Sequence, residues 1–195
     1  MARQVIVGLG GTTSAGSSTE QALGIALASA ERKGAEVCLY GGRALAQLPH
    51  YQPGAAISDV AQRFLSDVRR ADGLIIASPG YHGSISGLVK NAIDYLEETA
   101  RDGRVYLDGM PVGLIVTAYG SQALGSTLMA LRSIVHALRG WPTPLGAAVN
   151  TTPGLFRDGT CSDPNIAAQL AVVGQQVWDF AAVRSSAPDM ARAGD

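Results

Sequence analysis

The chain is short of charge, of cysteine and of long apolar runs. Charged residues make up 16% of its 195 positions and the formal net charge is −1, so there is no bulk attraction to nucleic acid or to an anionic membrane. No Lys/Arg run occurs, and the electrostatic stripe of a nucleic-acid binder is therefore missing. The two cysteines, Cys38 and Cys161, lie far apart and belong to no C-x-x-C or other ligand-spaced set, which argues against a structural zinc site. Cys38 sits in an apolar run and reads as a small buried hydrophobe. No apolar stretch reaches the roughly 18 residues of a membrane span. The opening M-A-R-Q-V-I-V-G-L-G lacks the apolar length and cleavage site of a secretory leader. These absences lead to the expectation of a cytoplasmic protein with no metal, no nucleic-acid partner and no membrane partner.

What is present is an apolar content of 47%, enough for a compact core in one domain. The expected domain covers residues 1–184. A small, polar tail over 185–195 is expected to fray. Apolar runs at Gln4–Leu9, Glu36–Tyr40, Gly73–Ala77, Pro111–Thr117 and about Leu145–Val149 read as strands covered on both faces. Between them fall helical patterns over about 18–33, 58–70, 87–99, 123–138 and 164–183, with Gly34 and Ser58 as stop and start signals. Gly41–Ile57 and Thr151–Ser162 read as irregular. The alternation βαβαβαβαβα, without a composition break, implies a parallel sheet with helices on both faces.

Ligands of open α/β sheets bind beyond the carboxyl ends of strands, where the strand order reverses. The polar, glycine-bearing loops here follow strands one, three and four, and a strand order of 2-1-3-4-5 sets those three ends side by side. That order predicts a flavodoxin-like three-layer α/β/α sandwich on a five-stranded parallel sheet. The dinucleotide-binding fingerprint fails, because Thr13 stands at its third glycine and strand two ends in Tyr40-Gly41 without an acidic residue. No G-K-[ST] follows strand one, so the nucleoside-triphosphate loop fails too.

The first loop runs Gly10-Gly11-Thr12-Thr13-Ser14-Ala15-Gly16-Ser17-Ser18-Thr19 into a helix. Free backbone N–H groups, the positive end of the helix dipole and the hydroxyls of Thr12, Ser14, Ser17, Ser18 and Thr19 suit a phosphate monoester. The same sequence also serves as a small-residue turn with Ser17 or Ser18 as N-cap. The second loop, Ser78-Pro79-Gly80-Tyr81-His82-Gly83-Ser84, offers exposed N–H groups and two flat side chains. It fits either a platform for a planar ring or a tight turn whose Tyr and His pack on their own helix. His82 and Ser84 lack the G-x-S-x-G elbow that a nucleophile and its base would need.

The stretch A-D-G-L-I-I-A-S-P-G-Y-H-G-S-I-S-G-L-V-K-N-A-I-D-Y-L, the loop G-G-T-T-S-A-G-S-S-T and the segment L-P-H-Y at Leu48–Tyr51 resemble the NADPH-dependent FMN reductase family over about Val5 to Val149. The resemblance implies that FMN phosphate meets Thr12, Ser14, Ser17 and Thr19, with Ser18 adjacent. It implies that Pro79, Gly80, Tyr81, His82, Gly83 and Ser84 lie along the isoalloxazine, and that Tyr119, Gly120 and Ser121 after strand four approach it. Lys90 and Asn91 match the family's K-N pair and are read as contacts within the fold or at a subunit interface. The sequence departs from many relatives at Ser14, where they carry Arg, and at Gly80, where Glu is frequent. The first departure implies an FMN that exchanges.

The function expected is an NAD(P)H-dependent FMN reductase, with FMN as cofactor and NADPH or NADH as co-substrate, and a monooxygenase as the partner it could supply. The alternatives are an FMN-bound quinone, azo or small-acceptor reductase, and a flavodoxin-type electron carrier. The near-zero net charge counts against the carrier, since such proteins use acidic surfaces to dock. Hydride transfer needs no protein acid or base, so no catalytic residue is expected. The resemblance implies a homodimer or homotetramer.

Overall fold

The structure is a computed structural model and describes residues 3–186. Its elements are β1 (Val5–Gly10), α1 (Ser18–Arg32), β2 (Glu36–Tyr40), α2 (Gly42–Leu45), α3 (Asp59–Arg70), β3 (Gly73–Tyr81), β4 (Ser84–Ile85), α4 (Gly87–Asp94), a 3₁₀ turn (Tyr95–Thr99), β5 (Pro111–Ala118), α5 (Ser121–Ala137), β6 (Trp141–Asn150), β7 (Phe156–Arg157), β8 (Thr160–Cys161) and α6 (Pro164–Ser186). Most of the expected tail lies outside the described residues; Ser185 and Ser186 continue α6.

The sheet order is β2-β1-β3-β5-β6, all parallel, with β4 hooked antiparallel onto the end of β3. Counting only the long strands, this is the expected 2-1-3-4-5 order, so the flavodoxin-like arrangement holds. The strand count does not. β4 brings the sheet to six strands, and β7 and β8 form a separate two-stranded ribbon inside the segment read as a long loop.

Alternation along each strand builds the three layers. Val7, Leu9, Leu74, Ile76, Leu114 and Val116 point to one face and join Phe64, Leu65, Val68, Val89, Leu131 and Val135 from α3, α4 and α5. Ile6, Ile75, Ala77 and Ile115 point to the other and join Ala22, Leu23, Ala26, Leu27, Leu170, Val173 and Val177 from α1 and α6. Helix α3 shows the local logic. Ser58 accepts the Ala61 N–H (3.3 Å) as N-cap, Arg69 and Arg70 occupy the last turn, and Ala61, Phe64, Leu65 and Val68 form the buried stripe. Each large member of that stripe contributes about 1.5–3 kcal/mol by leaving water.

The start of β6 and the length of α6 differ from expectation. β6 begins at Trp141, not Leu145, and carries Pro142 and Pro144; it is an edge strand, where a missing N–H costs no ladder bond. Helix α6 runs for 23 residues and, by length and composition alone, is long and apolar enough to cross a membrane, which corrects the reading that no segment is. In the fold, its Leu170, Val173, Val177 and Ala181 are buried, with Leu170, Val173 and Val177 in the core beside α1.

Candidate functional site

The carboxyl ends of β1, β3 and β5 lie in register. Gly10 is paired with Ala77, Pro79 with Thr117, and Ala118 with Asn150 on β6. The three loops singled out in the sequence therefore rise from one edge of the sheet.

In the first loop, Ser17 is the N-cap of α1 and its Oγ accepts the Glu20 N–H (3.3 Å). Thr12 Oγ1 accepts the Ser14 N–H (3.2 Å). Ser14 is exposed, while Ser17 and Ser18 are half-buried. Thr19 turns inward: it is 2% exposed and its hydroxyl pairs with that of Thr117 at 2.6 Å. The Thr19 side chain thus ties α1 to β5, and only its backbone N–H is left for a ligand. Among the described residues, no acceptor meets the N–H groups of Thr13, Ala15, Gly16 or Ser17, so the donor set is the one an anion at a helix N-terminus requires.

Three partners of this loop carry no local sequence signal. The Glu20 carboxylate accepts the Gly42 N–H (2.8 Å). Gln21 donates from Nε2 to Gly16 O (2.7 Å) and accepts the Gly159 N–H at Oε1 (3.1 Å), bridging the loop to the β7–β8 ribbon. Gly42 itself packs so close that a Cβ there would fall on the carbonyl of Thr12. The Gly41-Gly42 pair after strand two is the one cue a sequence reader could have used.

The second loop is less a loop than a hairpin, which corrects the reading of Ser78–Ser84 as loop. Pro79 is buried within β3 and is a strand residue, not part of an open turn. Gly80 pairs with Ile85 and Tyr81 with Ser84, leaving His82 (φ 51°) and Gly83 (φ 83°) as a two-residue turn. Two consecutive positive φ values match the twist of a tight hairpin. Ser78 Oγ closes its base by accepting the Ser86 N–H (3.0 Å) and donating to Pro79 O (2.9 Å). A side chain at Gly80 would press on Thr127 Oγ1 (3.0 Å) and Ala123 O (3.3 Å) of α5, which accounts for glycine there. Tyr81, His82 and Ser84 are exposed.

In the third loop, Tyr119 is 85% exposed, Gly120 is the N-cap of α5 and Ser121 its first residue. With its amide nitrogen facing them, Asn150 donates to Tyr119 O (3.1 Å) and Ala118 O (3.0 Å).

Asn91 of the K-N pair works inside the fold. Its Oδ1 accepts the Tyr51 N–H (2.8 Å) and its Nδ2 donates to Pro49 O (2.9 Å), pinning the L-P-H-Y segment. Tyr95 also donates to Pro49 O (3.0 Å) and Tyr51 to Glu98 Oε1 (2.9 Å). Burial and that carboxylate push the Tyr51 hydroxyl up to about 12. Lys90 makes an exposed pair with Asp94 (2.6 Å). An apolar groove of about 410 Å³ between Trp141, Pro142, Phe180 and Val183 lies at the opposite, amino end of the strands and has no part in this constellation.

The arrangement suits an FMN-sized ligand. N–H donors and hydroxyls face a space suited to a phosphate, and a rigid hairpin with flat side chains stands on the adjacent strand. The geometry is matched by comparison with known proteins. The chain is 38% identical to the FMN-dependent NADPH-azoreductase of Staphylococcus saprophyticus over 91 residues, 47% of this chain and 45% of that one. It is 40% identical over 80 residues to its Staphylococcus aureus counterpart, 41% of this chain and 39% of that one. The match thus spans about half the length of these curated relatives or less. Among solved structures, the flavoenzyme NAD(P)H:(acceptor) oxidoreductase FerB from Paracoccus denitrificans superposes with a TM-score of 0.74 at 19% identity, covering 92% of this chain and 98% of that one. An NADH:FMN oxidoreductase in its apo form gives 0.71 at 22%, covering 95% and 92%. At such identities these two structures speak for the fold alone. The family model described as NADPH-dependent FMN reductase matches residues 5–153, and the chain belongs to that family.

Proposed function

We propose that the protein is an NAD(P)H-dependent FMN reductase whose described chain forms one FMN-binding domain. The observation that carries this reading is the register of β1, β3 and β5, which sets an anion-binding loop beside a rigid hairpin.

Bound FMN would supply the redox chemistry, taking a hydride from the nicotinamide and passing electrons to an acceptor. The chain's own residues bind and orient. The N–H groups of residues 15–19 and the hydroxyls of Thr12, Ser14, Ser17 and Ser18 hold the phosphate. The hairpin Gly80–Ser84 lies along the ring edge, with Tyr81 and His82 beside it. Tyr119, Gly120 and Ser121 close the third side. No protein group is assigned a proton-transfer role.

A second reading in the same class, reduction of azo or quinone acceptors through retained FMN, is favoured by the names of the curated relatives. The exposed Tyr119 and, two turns into α5, the exposed Met129 support assembly as a homodimer or homotetramer. A cytoplasmic location and a monooxygenase fed with reduced flavin complete the proposal.

The test is nicotinamide oxidation by catalytic amounts of protein, with NADPH and with NADH, with and without added FMN. Turnover that needs added FMN and scales with it favours flavin as substrate. Turnover by a yellow protein with an azo dye or quinone and no added FMN favours the second reading. No oxidation under any condition rejects both.

A further inference from the structure

The residues Gly10–Thr19 contain no lysine and no arginine. A phosphate monoester carries close to two negative charges at neutral pH, and N–H groups with hydroxyls alone leave that charge uncompensated. Two neighbouring residues of α1, Glu20 and Gln21, each tie this loop to another element that carries an arginine.

Glu20 holds the N–H of Gly42, and Gly42 packs against Thr12. The next residue is Arg43, exposed in the first turn of α2. Gln21 holds Gly16 O and the Gly159 N–H with one amide group. Gly159 belongs to the turn of the β7–β8 ribbon, and Arg157 stands two residues away, also exposed. Among the described residues, neither guanidinium makes a hydrogen bond or an ion pair, whereas Arg3, Arg69, Arg70, Arg104, Arg132 and Arg184 are engaged within the protein; Arg32, Arg63, Arg101 and Arg139 are also unpaired, but none of them follows an element that Glu20 or Gln21 ties to the loop.

We infer that Arg43 and Arg157 form a two-sided cation clamp on the phosphate of FMN, carried to the loop by α2 and by the β7–β8 ribbon. The inference rests on the FMN-binding reading given above. The ribbon is then a functional part of the site, with Gln21 as the positioning residue that sets its distance. The guanidinium groups approach from outside the loop and not from within it. The clamp is therefore solvent-accessible and salt-sensitive.

The experiment compares FMN with riboflavin, which has the same ring and no phosphate. Binding of each is followed by flavin fluorescence quenching in the wild type, in Arg43→Gln, Arg157→Gln, the double variant and Gln21→Ala. Each arginine variant should lose FMN affinity by about three- to tenfold, and the double variant by on the order of tenfold to a hundredfold, the range of one and two partly screened charge-assisted contacts. Riboflavin affinity should be unchanged, which also shows that the variants fold. Gln21→Ala should reproduce the Arg157→Gln loss, and the wild-type preference for FMN should shrink as salt rises. A double variant that keeps the full preference for FMN overturns the clamp and leaves the FMN-binding reading standing. If FMN affinity is unchanged and only NADPH binding, not NADH binding, weakens, Arg157 serves the 2′-phosphate of the dinucleotide and the clamp is overturned as well. A wild type that binds neither flavin rejects the reading on which the clamp rests.

Discussion

At Gly42 one methyl group decides how the first loop sits. A Cβ there would land on the carbonyl of Thr12, and the neighbours are backbone, which cannot swing aside as a side chain can. Gly42→Ala is expected to push α2 off the loop and to cost about 1–3 kcal/mol, the range for overpacking a closed site. A thermal melt checks the stability, and a flavin titration should show FMN weakened more than riboflavin. An unchanged melt would remove the packing argument. The Thr19–Thr117 pair makes a second residue-scale case. Thr117→Val keeps the shape but leaves the buried Thr19 hydroxyl without a partner, at a cost of about 1–3 kcal/mol. Thr19→Val together with Thr117→Val removes both polar groups, so urea unfolding of the double variant should show much less than the sum of the singles. Strict additivity would mean the two hydroxyls do not depend on one another.

At the scale of elements, Asn91 shows how a helix fixes a loop. Its amide both accepts from Tyr51 and donates to Pro49, so Asn91→Ala strips the Tyr51 N–H of its partner and takes one of two donors from Pro49 O. Since Tyr95 still donates to Pro49 O, the group left wholly unpaired is the Tyr51 N–H; a loss of about 1–3 kcal/mol follows, with faster hydrogen exchange at the Tyr51 amide as the local readout. Asn91→Asp keeps the acceptor for Tyr51 and should protect that amide better than Ala does. Long strands were legible because apolar runs of five or more residues leave few alternatives: β1, β2, β3 and β5 start within a residue of where the runs do. The front of β6 was not, because Pro142 and Pro144 argue against a strand unless it is known to be an edge. The ribbons at 80–85 and 156–161 were missed because a two-residue strand shows no periodicity. Their turns did leave a mark: His82-Gly83 and Asp158-Gly159 both place two positive φ values in succession, and an Asp-Gly pair is a known hairpin signal. The first loop of the site was legible because ten small, mostly hydroxyl-bearing or glycine residues between a strand and a helix have few other uses. Glu20, Gln21 and Asn150, which hold those loops in place, act across the fold and could not be seen from spacing.

For the molecule as a whole, the site occupies the edge where three strands end, and its loops are tied to α1, α2, α5, β6 and the β7–β8 ribbon. Little of the hydrophobic core lies there; the two buried clusters sit on the sheet faces, built from α1 and α6 on one side and α3, α4 and α5 on the other. Ligand binding should therefore stabilise the fold by mass action without reordering the core. FMN at a hundred times its Kd adds about 2.7 kcal/mol. For a chain of this size each kcal/mol raises the melting temperature by about 2–4 °C, so a rise of roughly 5–11 °C is expected. Riboflavin at the same concentration should give less, because it lacks the phosphate that the first loop is built to hold. The far-ultraviolet circular dichroism should stay the same with and without FMN, since the loops carry little regular structure. A melting temperature that ignores FMN, or a rise as large for riboflavin as for FMN, would mean that the N–H groups of residues 15–19 do not meet a phosphate.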